Sequence, residues 1–145
     1  MKMKHLLCML SAMLLVALAG CSDNDNPEPD SDLLVGTWEC YKQLVTEQGS
    51  SYEELFGEST GIVLTVEFRA DNTCSILESM QMETGGWGTF ITMYRYVHEG
   101  NTVIQYTTKG EQAEVATILD LTQSELTIYQ SGGDWSVTAY YRRIR

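Results

Sequence analysis

The sequence predicts an all-β fold, an eight-stranded antiparallel up-and-down barrel, over residues 33–145. Apolar and polar residues alternate through eight successive segments, which is the pattern of strands that bury one face. The connections are short and none carries a helical crossover, which argues against a parallel sheet. A meander of eight strands favours closure, because closure removes the open edges at which sheets aggregate.

The first two predicted strands cover residues 37–45 and 62–69. The second strand alternates cleanly, with Leu64 and Val66 on its apolar face and polar side chains on the other. The connection between these strands is the longest in the domain. Residues 51–56 predict a short helix within it.

The remaining six strands follow the same alternation, and each ends at a turn signal. They cover residues 74–82, 87–98, 102–107, 113–121, 125–130 and 135–144. The first of them returns antiparallel to the strand before it, around a turn at residues 70–73. Four of the five other turns carry Gly with Asn, Asp, Glu or Lys, so we expect each strand to lie beside its predecessor.

The amino-terminal segment resembles the signal sequence of a bacterial lipoprotein. Lys2 and Lys4 provide a basic start, residues 6–17 form an apolar run, and two small residues precede Cys21 as in a lipobox. The run is about a dozen residues long, fewer than the roughly 20 of a membrane-spanning helix. The resemblance implies that residues 1–20 are cleaved and that Cys21 carries fatty acyl chains such as palmitate, at about 0.8 kcal/mol for each buried methylene. A retained membrane anchor and secretion without lipidation are the alternatives.

Residues 21–32 form a predicted disordered linker between Cys21 and the domain. The segment contains five carboxylates, two prolines and no large apolar side chain before residue 33, so it cannot bury enough surface to fold. Residues 22–25 resemble the acidic export signal of surface lipoproteins of Bacteroidota, and a merely solubilising linker is the alternative. We therefore expect a lipid-anchored protein of the outer membrane, on its periplasmic or its cell-surface face.

The charge of the chain excludes one class of partner. The formal net charge is −11, and loss of Lys2 and Lys4 with the leader makes it −13 for residues 21–145. Proteins bind nucleic acid by neutralising phosphates with clustered Lys and Arg, which are few here. No nucleic-acid partner is expected.

The start of the domain carries a second resemblance. Gly36-Thr37-Trp38, after a Leu-Leu-Val segment, resembles the opening of a lipocalin, in which a short helical turn precedes Gly-x-Trp on the first strand. The chain is similar to the small lipocalin-like lipoproteins of Bacteroidota. The resemblance implies that Trp38 plugs one end of the barrel and that Arg142 or Arg143 packs across it. Gly36, Trp38 and Arg142 are accordingly assigned structural roles. The domain is shorter than a typical lipocalin and lacks its long helix.

The interior of a small eight-stranded barrel is either filled by side chains or holds one small ligand. Strand alternation predicts which side chains point inward. The candidate ligand-binding residues are Leu64, Val66, Met80, Met82, Met93, Tyr106 and Tyr141, and Ile76, Ile91, Leu119, Ile128 and Val137 are expected to face inward with them. The orientation of the strand at 87–98 stays open, because Phe90, Tyr94 and Tyr96 compete with Ile91 and Met93 for the inner face. Methionines at such positions line adaptable pockets or simply fill cores.

Few residues support catalysis, a cofactor or a metal site. His98 is the one histidine left after the leader, and one His with two separated cysteines makes a poor zinc set. Glu78 is expected to point inward by strand parity, unless a bulge turns it outward. No nucleophile elbow, phosphate loop or metalloprotease helix motif is present. We predict that the protein is not an enzyme and has no resident cofactor.

Cys40 and Cys74 are the only thiols of the domain, and an oxidising compartment would allow them to bond. A strand is expected between them, so their Cα atoms should lie about twice the 4.8 Å strand spacing apart, beyond the roughly 7 Å limit for a disulfide. A bond would require the barrel to pinch at that point. Otherwise both are small buried side chains.

Two functions of different classes fit this sequence. The first is a binding module that holds a small apolar or amphipathic molecule in the barrel. The second is a protein-interaction module with a filled barrel, such as an envelope inhibitor or an accessory subunit of a surface complex. For the second, exposed loops at residues 83–87 or 48–59 would provide the contact, and Trp87 would be its anchor.

Overall fold

The computed structural model of the protein describes residues 31–145, with side chains from Leu33 onward. The elements are α1 (Ser31–Leu34), β1 (Gly36–Glu47), β2 (Ser50–Leu55), a 3₁₀ turn (Glu58–Thr60), β3 (Ile62–Phe68), β4 (Thr73–Gln81), β5 (Trp87–Glu99), β6 (Thr102–Tyr106), β7 (Gln112–Leu121), β8 (Glu125–Gly132) and β9 (Trp135–Arg143). The predicted leader, the lipidation site Cys21 and the linker up to residue 30 lie outside the described residues. No helix in the described part is long and apolar enough to cross a bilayer.

The strands form one closed antiparallel barrel. The strand order is β2-β1-β3-β4-β5-β6-β7-β8-β9, and pairing of β1 with β9 closes the sheet. The wall therefore consists of β1 and β3–β9 in meander order, while β2 is attached to the edge of β1. The predicted eight-stranded up-and-down barrel is confirmed.

The predicted helix at residues 51–56 is wrong, because this segment is strand β2. It pairs with the second half of β1, from Lys42 opposite Leu55 to Glu47 opposite Ser50. Gln48 and Gly49 connect the two strands with φ values of 49° and 80°. Positive φ at both central residues is the geometry of the tight two-residue hairpin turn that matches strand twist.

One end of the barrel, the base, is filled by a continuous apolar core. Its side chains come from α1 and from strands around the wall: Leu34, Trp38, Phe68, Tyr96, Val103 and Leu126. Trp38 is fully buried, and its indole Nε1 donates a hydrogen bond to the Leu34 carbonyl at 2.9 Å. Trp38 thus plugs the base, as its resemblance to the lipocalin tryptophan implies.

The arginine that covers Trp38 is Arg143, so the structural assignment of Arg142 is wrong. The Arg143 guanidinium lies 4.1 Å from the centre of the Trp38 ring. Arg143 pairs with Trp38 in the β1–β9 ladder, whereas Arg142 pairs with Glu39 on the outer face. Arg142 instead forms an exposed ion pair with Glu39 at 2.6 Å.

Gly36 has the predicted structural role because Arg143 approaches it closely. Its φ of +149° is rare for residues with a side chain, and a Cβ there would lie 2.1 Å from Arg143 Nη1. Any side chain at position 36 would therefore clash with Arg143 at the base of the barrel.

The register of β5 decides which of its faces points inward. Cys74 pairs with Tyr94 and Glu78 with Phe90, which places Tyr94 and Phe90 on the inner face with the buried Tyr96. The expected inward orientation of Ile91 is therefore wrong, and its side chain is 61% exposed.

Leu119, also expected inward, lies at a bulge in the β7–β8 ladder. It is 57% exposed because it shares the outward parity of Val115, and Ile118 takes the buried position instead. The bulge reverses the alternation only after Leu119, so that Leu121 pairs with the buried Leu126.

Candidate functional site: the barrel interior and its open end

A layer of polar side chains crosses the interior above the apolar base. Gln105 on β6 and Glu114 on β7 are opposite one another in the ladder, next to the buried Val103 and Ala116 along the same faces. Gln130 on β8 donates from Nε2 to the Glu114 carboxylate at 2.7 Å. Strand alternation therefore places hydrogen-bonding groups from three successive strands inside the barrel.

Burial changes the protonation behaviour of this layer. Desolvation raises the pKa of the Glu114 carboxyl, and the hydrogen bond from Gln130 partly offsets that rise. An acid that is partly removed from water favours its neutral form. Glu114 can therefore take up a proton at a higher pH than an exposed glutamate.

Two tyrosines line the barrel near this carboxylate. Tyr141 on β9 pairs with Leu126 of β8 and with Cys40 of β1, which puts it on the inner face. Burial raises the pKa of Tyr141 and of Tyr94, and the charge of Glu114 adds to the rise in both. Both phenols therefore stay protonated and can act as neutral hydrogen-bond donors.

Two further carboxylates lie toward the other end of the interior. Glu78 on β4 pairs with Leu64 and Phe90 without a break in register, so the bulge that would turn it outward is not formed. Burial, followed by the nearby charge of Glu54 on β2, raises the pKa of Glu78. The inner wall thus carries Glu54, Glu78 and Glu114.

The end opposite the base, the open end, is accessible to solvent. Phe90 faces inward by register yet is 60% exposed. Tyr52 on β2 pairs with Val45, whose side chain is buried, and is itself 44% exposed. Inner-face side chains at this end therefore form a mouth.

Four of the predicted lining residues point into the barrel. Val66 is 5% exposed and belongs to the apolar core. Leu64 pairs with Glu78, and Met80 pairs with Ile62, so both lie on the inner face and are half-buried. With Tyr141 they form the wall between the base and the mouth, and their role in ligand binding stays a prediction.

Two of the other predicted lining residues, Met93 and Tyr106, lie on the outer face. Met93 pairs with Ser75 on the outer face and is 45% exposed. Tyr106 pairs with Arg95, on the face opposite Tyr96, because β5 presents its even-numbered residues inward. The expected inward orientation of Met93 and Tyr106 is therefore wrong. Met82 follows the end of β4 and is 49% exposed at the rim. Its Sδ lies 3.0 Å from where a Cβ of Gly88 would be, and Gly88 pairs with the inward Met80, so Met82 lies on the inner side of the rim.

Sequence analysis did not single out Gln105, Glu114 and Gln130. A usable signal exists, because these residues share strand parity with the apolar Val103, Ala116 and Ile128, all of which are buried. Polar residues on an otherwise apolar strand face indicate a buried polar network.

The two thiols of the domain are buried and free. Cys74 Sγ accepts a hydrogen bond from Gln105 Nε2 at 3.5 Å. Burial raises the pKa of Cys40 to about 12 and that of Cys74 to about 11. Both therefore remain protonated at neutral pH and are poor nucleophiles.

The outer wall carries a separate shallow cleft of about 220 Å³ beside the carboxyl terminus. It is lined by Thr37, Thr65, Glu67, Ser75, Leu77, Ile144 and Arg145. Within residues 33–145, no group of three or more His, Cys, Asp or Glu side chains is arranged to hold a metal ion.

No family model matches the sequence, and no curated protein matches it. The chain is similar to a lipocalin-like protein from Bacteroides uniformis ATCC 8492, with a TM-score of 0.47, 14% identity, and 77% of this chain and 99% of that chain covered. It is also similar to an uncharacterized protein from Bacteroides eggerthii DSM 20697, with a TM-score of 0.46, 11% identity, and 76% and 98% covered. A third similar structure is the siderocalin Ex-FABP, which functions through dual ligand specificities, with a TM-score of 0.41, 13% identity, and 77% and 70% covered.

The fold is a closed eight-stranded antiparallel barrel. Its closed wall, the buried Trp38 under Arg143 and the accessible opposite end are the features that define the candidate site.

Proposed function

We propose that this protein is a lipid-anchored module that binds a small amphipathic molecule inside its barrel. One observation carries the proposal: Trp38 at the base is fully buried, whereas the inward-facing Phe90 and Tyr52 at the other end are 60% and 44% exposed. An interior that is closed at one end and accessible at the other suits the uptake of one small molecule.

The chemistry of the wall supports an amphipathic ligand. Leu64, Met80 and Phe90 offer apolar contact near the mouth. Deeper in the barrel, Glu114 and Tyr141 offer a carboxylate and a phenol. Binding sites of this kind are mostly apolar, with a few polar groups that fix the orientation of the ligand.

We propose binding without catalysis, and a location set by the acyl chains on Cys21. His98 pairs with the buried Val103 near the base, on the far side of the core from Glu54 and Glu78. The tether would hold the open barrel at the outer membrane, where it meets molecules that enter or leave the envelope.

A titration with the neutral apolar fluorophore N-phenyl-1-naphthylamine tests this function. We expect saturable binding to the wild-type protein, and at least about tenfold weaker binding to Leu64→Trp, because a larger side chain would fill the interior. Val115→Trp is the matched control, since Val115 pairs with Ile104 on the outer face and is 46% exposed. Absence of saturable binding, or equal loss in both variants, would contradict the proposal.

A protein-interaction module is the second candidate, because large apolar side chains are exposed at the rim. Trp87 is 46% exposed and Ile91 is 61% exposed. This function predicts that the fluorophore does not bind and that Trp87→Ala abolishes capture of a specific envelope protein by cross-linking in the host.

A further inference from the structure

The first half of β5 has one unpaired edge. Residues 87–94 pair with β4, but pairing with β6 begins only at Arg95 opposite Tyr106. Among residues 31–145, no other strand pairs with this stretch. The ladder that closes the barrel therefore includes only the second half of β5 on its β6 side, and residues 87–94 form a free edge at the open end.

The hydrogen bonds of the β4–β5 hairpin show which backbone groups face this free edge. Met82 N–H donates to the Gly86 carbonyl at 3.0 Å, so even-numbered residues of β5 direct their backbone groups toward β4. A second bond supports this assignment: the Tyr96 N–H donates to the Asn72 carbonyl, on the same side of β5, at 2.9 Å. The residues that direct N–H and C=O groups to the free edge are Trp87, Thr89, Ile91 and Met93.

The free edge lacks the features that usually protect such edges. Its sequence, WGTFITMY, contains no charged residue and no proline. It is rich in aromatic and β-branched residues, which favour strands. Soluble proteins normally block an exposed edge with charge, proline, a bulge or a covering segment.

Both faces of this stretch are exposed. Phe90 on the inner face is 60% exposed, and Ile91 and Met93 on the outer face are 61% and 45% exposed. At the rim, residues 87–94 therefore have both their apolar side chains and the backbone groups of the free edge accessible.

We infer that the free edge of β5 pairs antiparallel with the same edge of a second copy of this chain. A two-fold axis at Phe90 would place Thr89 of one copy opposite Ile91 of the other, and Trp87 opposite Met93. All four residues then have their backbone groups directed at the partner, which allows about eight hydrogen bonds. Such a contact is isologous and closes at two copies.

The free edge has no charged side chain with which to select a cationic partner, so pairing there depends on backbone hydrogen bonds and apolar contact, which an identical edge provides. The formal net charge of −11 on the chain repels a second copy and weakens the dimer, but this charge lies outside the edge itself. The nearest acid in sequence, Glu83, lies in the β4–β5 turn, and in the antiparallel arrangement the two copies of it fall at opposite ends of the joint ladder. Two copies can therefore pair without placing like charges side by side.

The size of this contact predicts a weak dimer. One strand from each copy is at the low end of protein interfaces, below about 1,200 Å². We expect monomer and dimer to exchange, with the dimer increasing with protein concentration. The inference does not depend on ligand binding.

Sedimentation equilibrium of the processed chain, residues 21–145 with Cys21→Ser so that no lipid contributes, tests this pairing. Ile91→Lys places a charge on the edge, and Thr89→Pro removes a donor that β4 does not use. We expect each to raise the dimer dissociation constant at least about tenfold. Val115→Lys, an equal charge change at an exposed outer position away from the edge, should change it less than about twofold. Circular dichroism spectra verify that each variant is folded.

Cross-linking provides a positive readout of the register. At the two-fold axis the two Phe90 Cα atoms would lie about 4.5 Å apart, within reach of a disulfide. Phe90→Cys should therefore form a covalent dimer under mild oxidation, whereas Val115→Cys should not. A wild-type chain that stays monomeric at millimolar concentration, a dimer that survives both edge variants, or pairing only with a foreign protein would overturn the inference.

Discussion

Arg143 joins three parts of the chain at the base of the barrel. Its guanidinium stacks on Trp38 at 4.1 Å, while Nη1 donates to the Val35 carbonyl at 2.8 Å and Nε donates to the Gln123 carbonyl at 2.6 Å. The Arg143 side chain therefore links the last strand to the segment before β1 and to the β7–β8 turn. Arg142, one residue earlier, makes a single exposed ion pair.

Replacement of the two arginines should separate these roles. We expect Arg143→Ala to lower the free energy of unfolding by about 2–4 kcal/mol, because it removes the contact with Trp38 and leaves carbonyls unpaired. Arg142→Ala should lower it by less than about 1 kcal/mol, as is typical of a surface ion pair. Chemical denaturation followed by tryptophan fluorescence measures both, and equal losses would contradict the assignment.

Glu114 should make the stability of the barrel depend on pH. Because burial raises its pKa in the folded state above the unfolded value near 4.5, the folded protein binds more protons in that window. Stability should therefore fall as the pH rises from that value through the folded pKa. Glu114→Gln should remain more stable than the wild type at pH 7 and show a flatter profile, since Gln130 can still donate to it.

Urea denaturation between pH 4 and pH 8 provides this comparison. Glu111→Gln, in the exposed β6–β7 turn, is the matched control and should keep the wild-type profile. Burial also raises the pKa of Glu78, so the free energy of unfolding of the Glu114 variant should still change with pH, but less steeply than that of the wild type. A Glu114→Gln profile parallel to that of the wild type would show that this carboxylate does not cause the pH dependence of stability.

At the scale of elements, the β1–β2 hairpin shows what sequence alternation can miss. Ser50–Leu55 alternates poorly and carries two adjacent glutamates, so its local pattern favoured a helix. Backbone pairing with the second half of β1 makes this segment a strand. The missed signal was Gln48-Gly49, a dipeptide able to adopt positive φ at both positions.

The β1–β2 turn allows a test of this conformation. Gly49→Ala should destabilise the protein by about 1 kcal/mol, because φ is +80° while no atom lies within 4 Å of the new Cβ. Gly36→Ala should cost more, since φ is also positive there and Arg143 Nη1 occupies the space of the Cβ. Thermal unfolding of the two variants checks the order, and a larger loss at Gly49 would contradict it.

Strand positions were predictable from the sequence, but the orientation of some strands was not. Residues 62–69 alternate with one apolar face, so β3 and its inward residues followed directly. On β5 both faces are apolar, with Phe90 on one and Ile91 on the other, so local pattern could not choose between them. Bulges such as the one at Leu119 then reverse the parity without a sequence signal.

At the scale of the whole molecule, closure of the barrel was predictable because eight alternating segments and short turns leave few other arrangements. Strand pairing between β1 and β9 confirms it. The polar layer of Gln105, Glu114 and Gln130 was not predicted. Strand parity indicates that these residues face inward, but their contacts depend on the register between the neighbouring strands β6, β7 and β8. The prediction of the fold was therefore more accurate than the prediction of the residues that line the candidate site.

The location of the molecule can be tested apart from its fold. If Cys21 carries the proposed acyl chains, Cys21→Ala should move the protein from the membrane fraction to the soluble fraction and abolish labelling with a palmitate analogue. Cys40→Ala should leave both properties unchanged, since its thiol is buried in the barrel. Persistent membrane association of Cys21→Ala would contradict lipid anchoring.

The most direct test of the account is to map a bound amphipathic molecule by nuclear magnetic resonance. Saturating the isotope-labelled protein with N-phenyl-1-naphthylamine should shift signals from the inner face at the open end, including Tyr52, Leu64 and Phe90. Signals from outer-face positions such as Val115 and Leu119 should stay unchanged. Shifts confined to the outer face, or no shifts at saturating probe, would contradict the claim that the open barrel is the binding site.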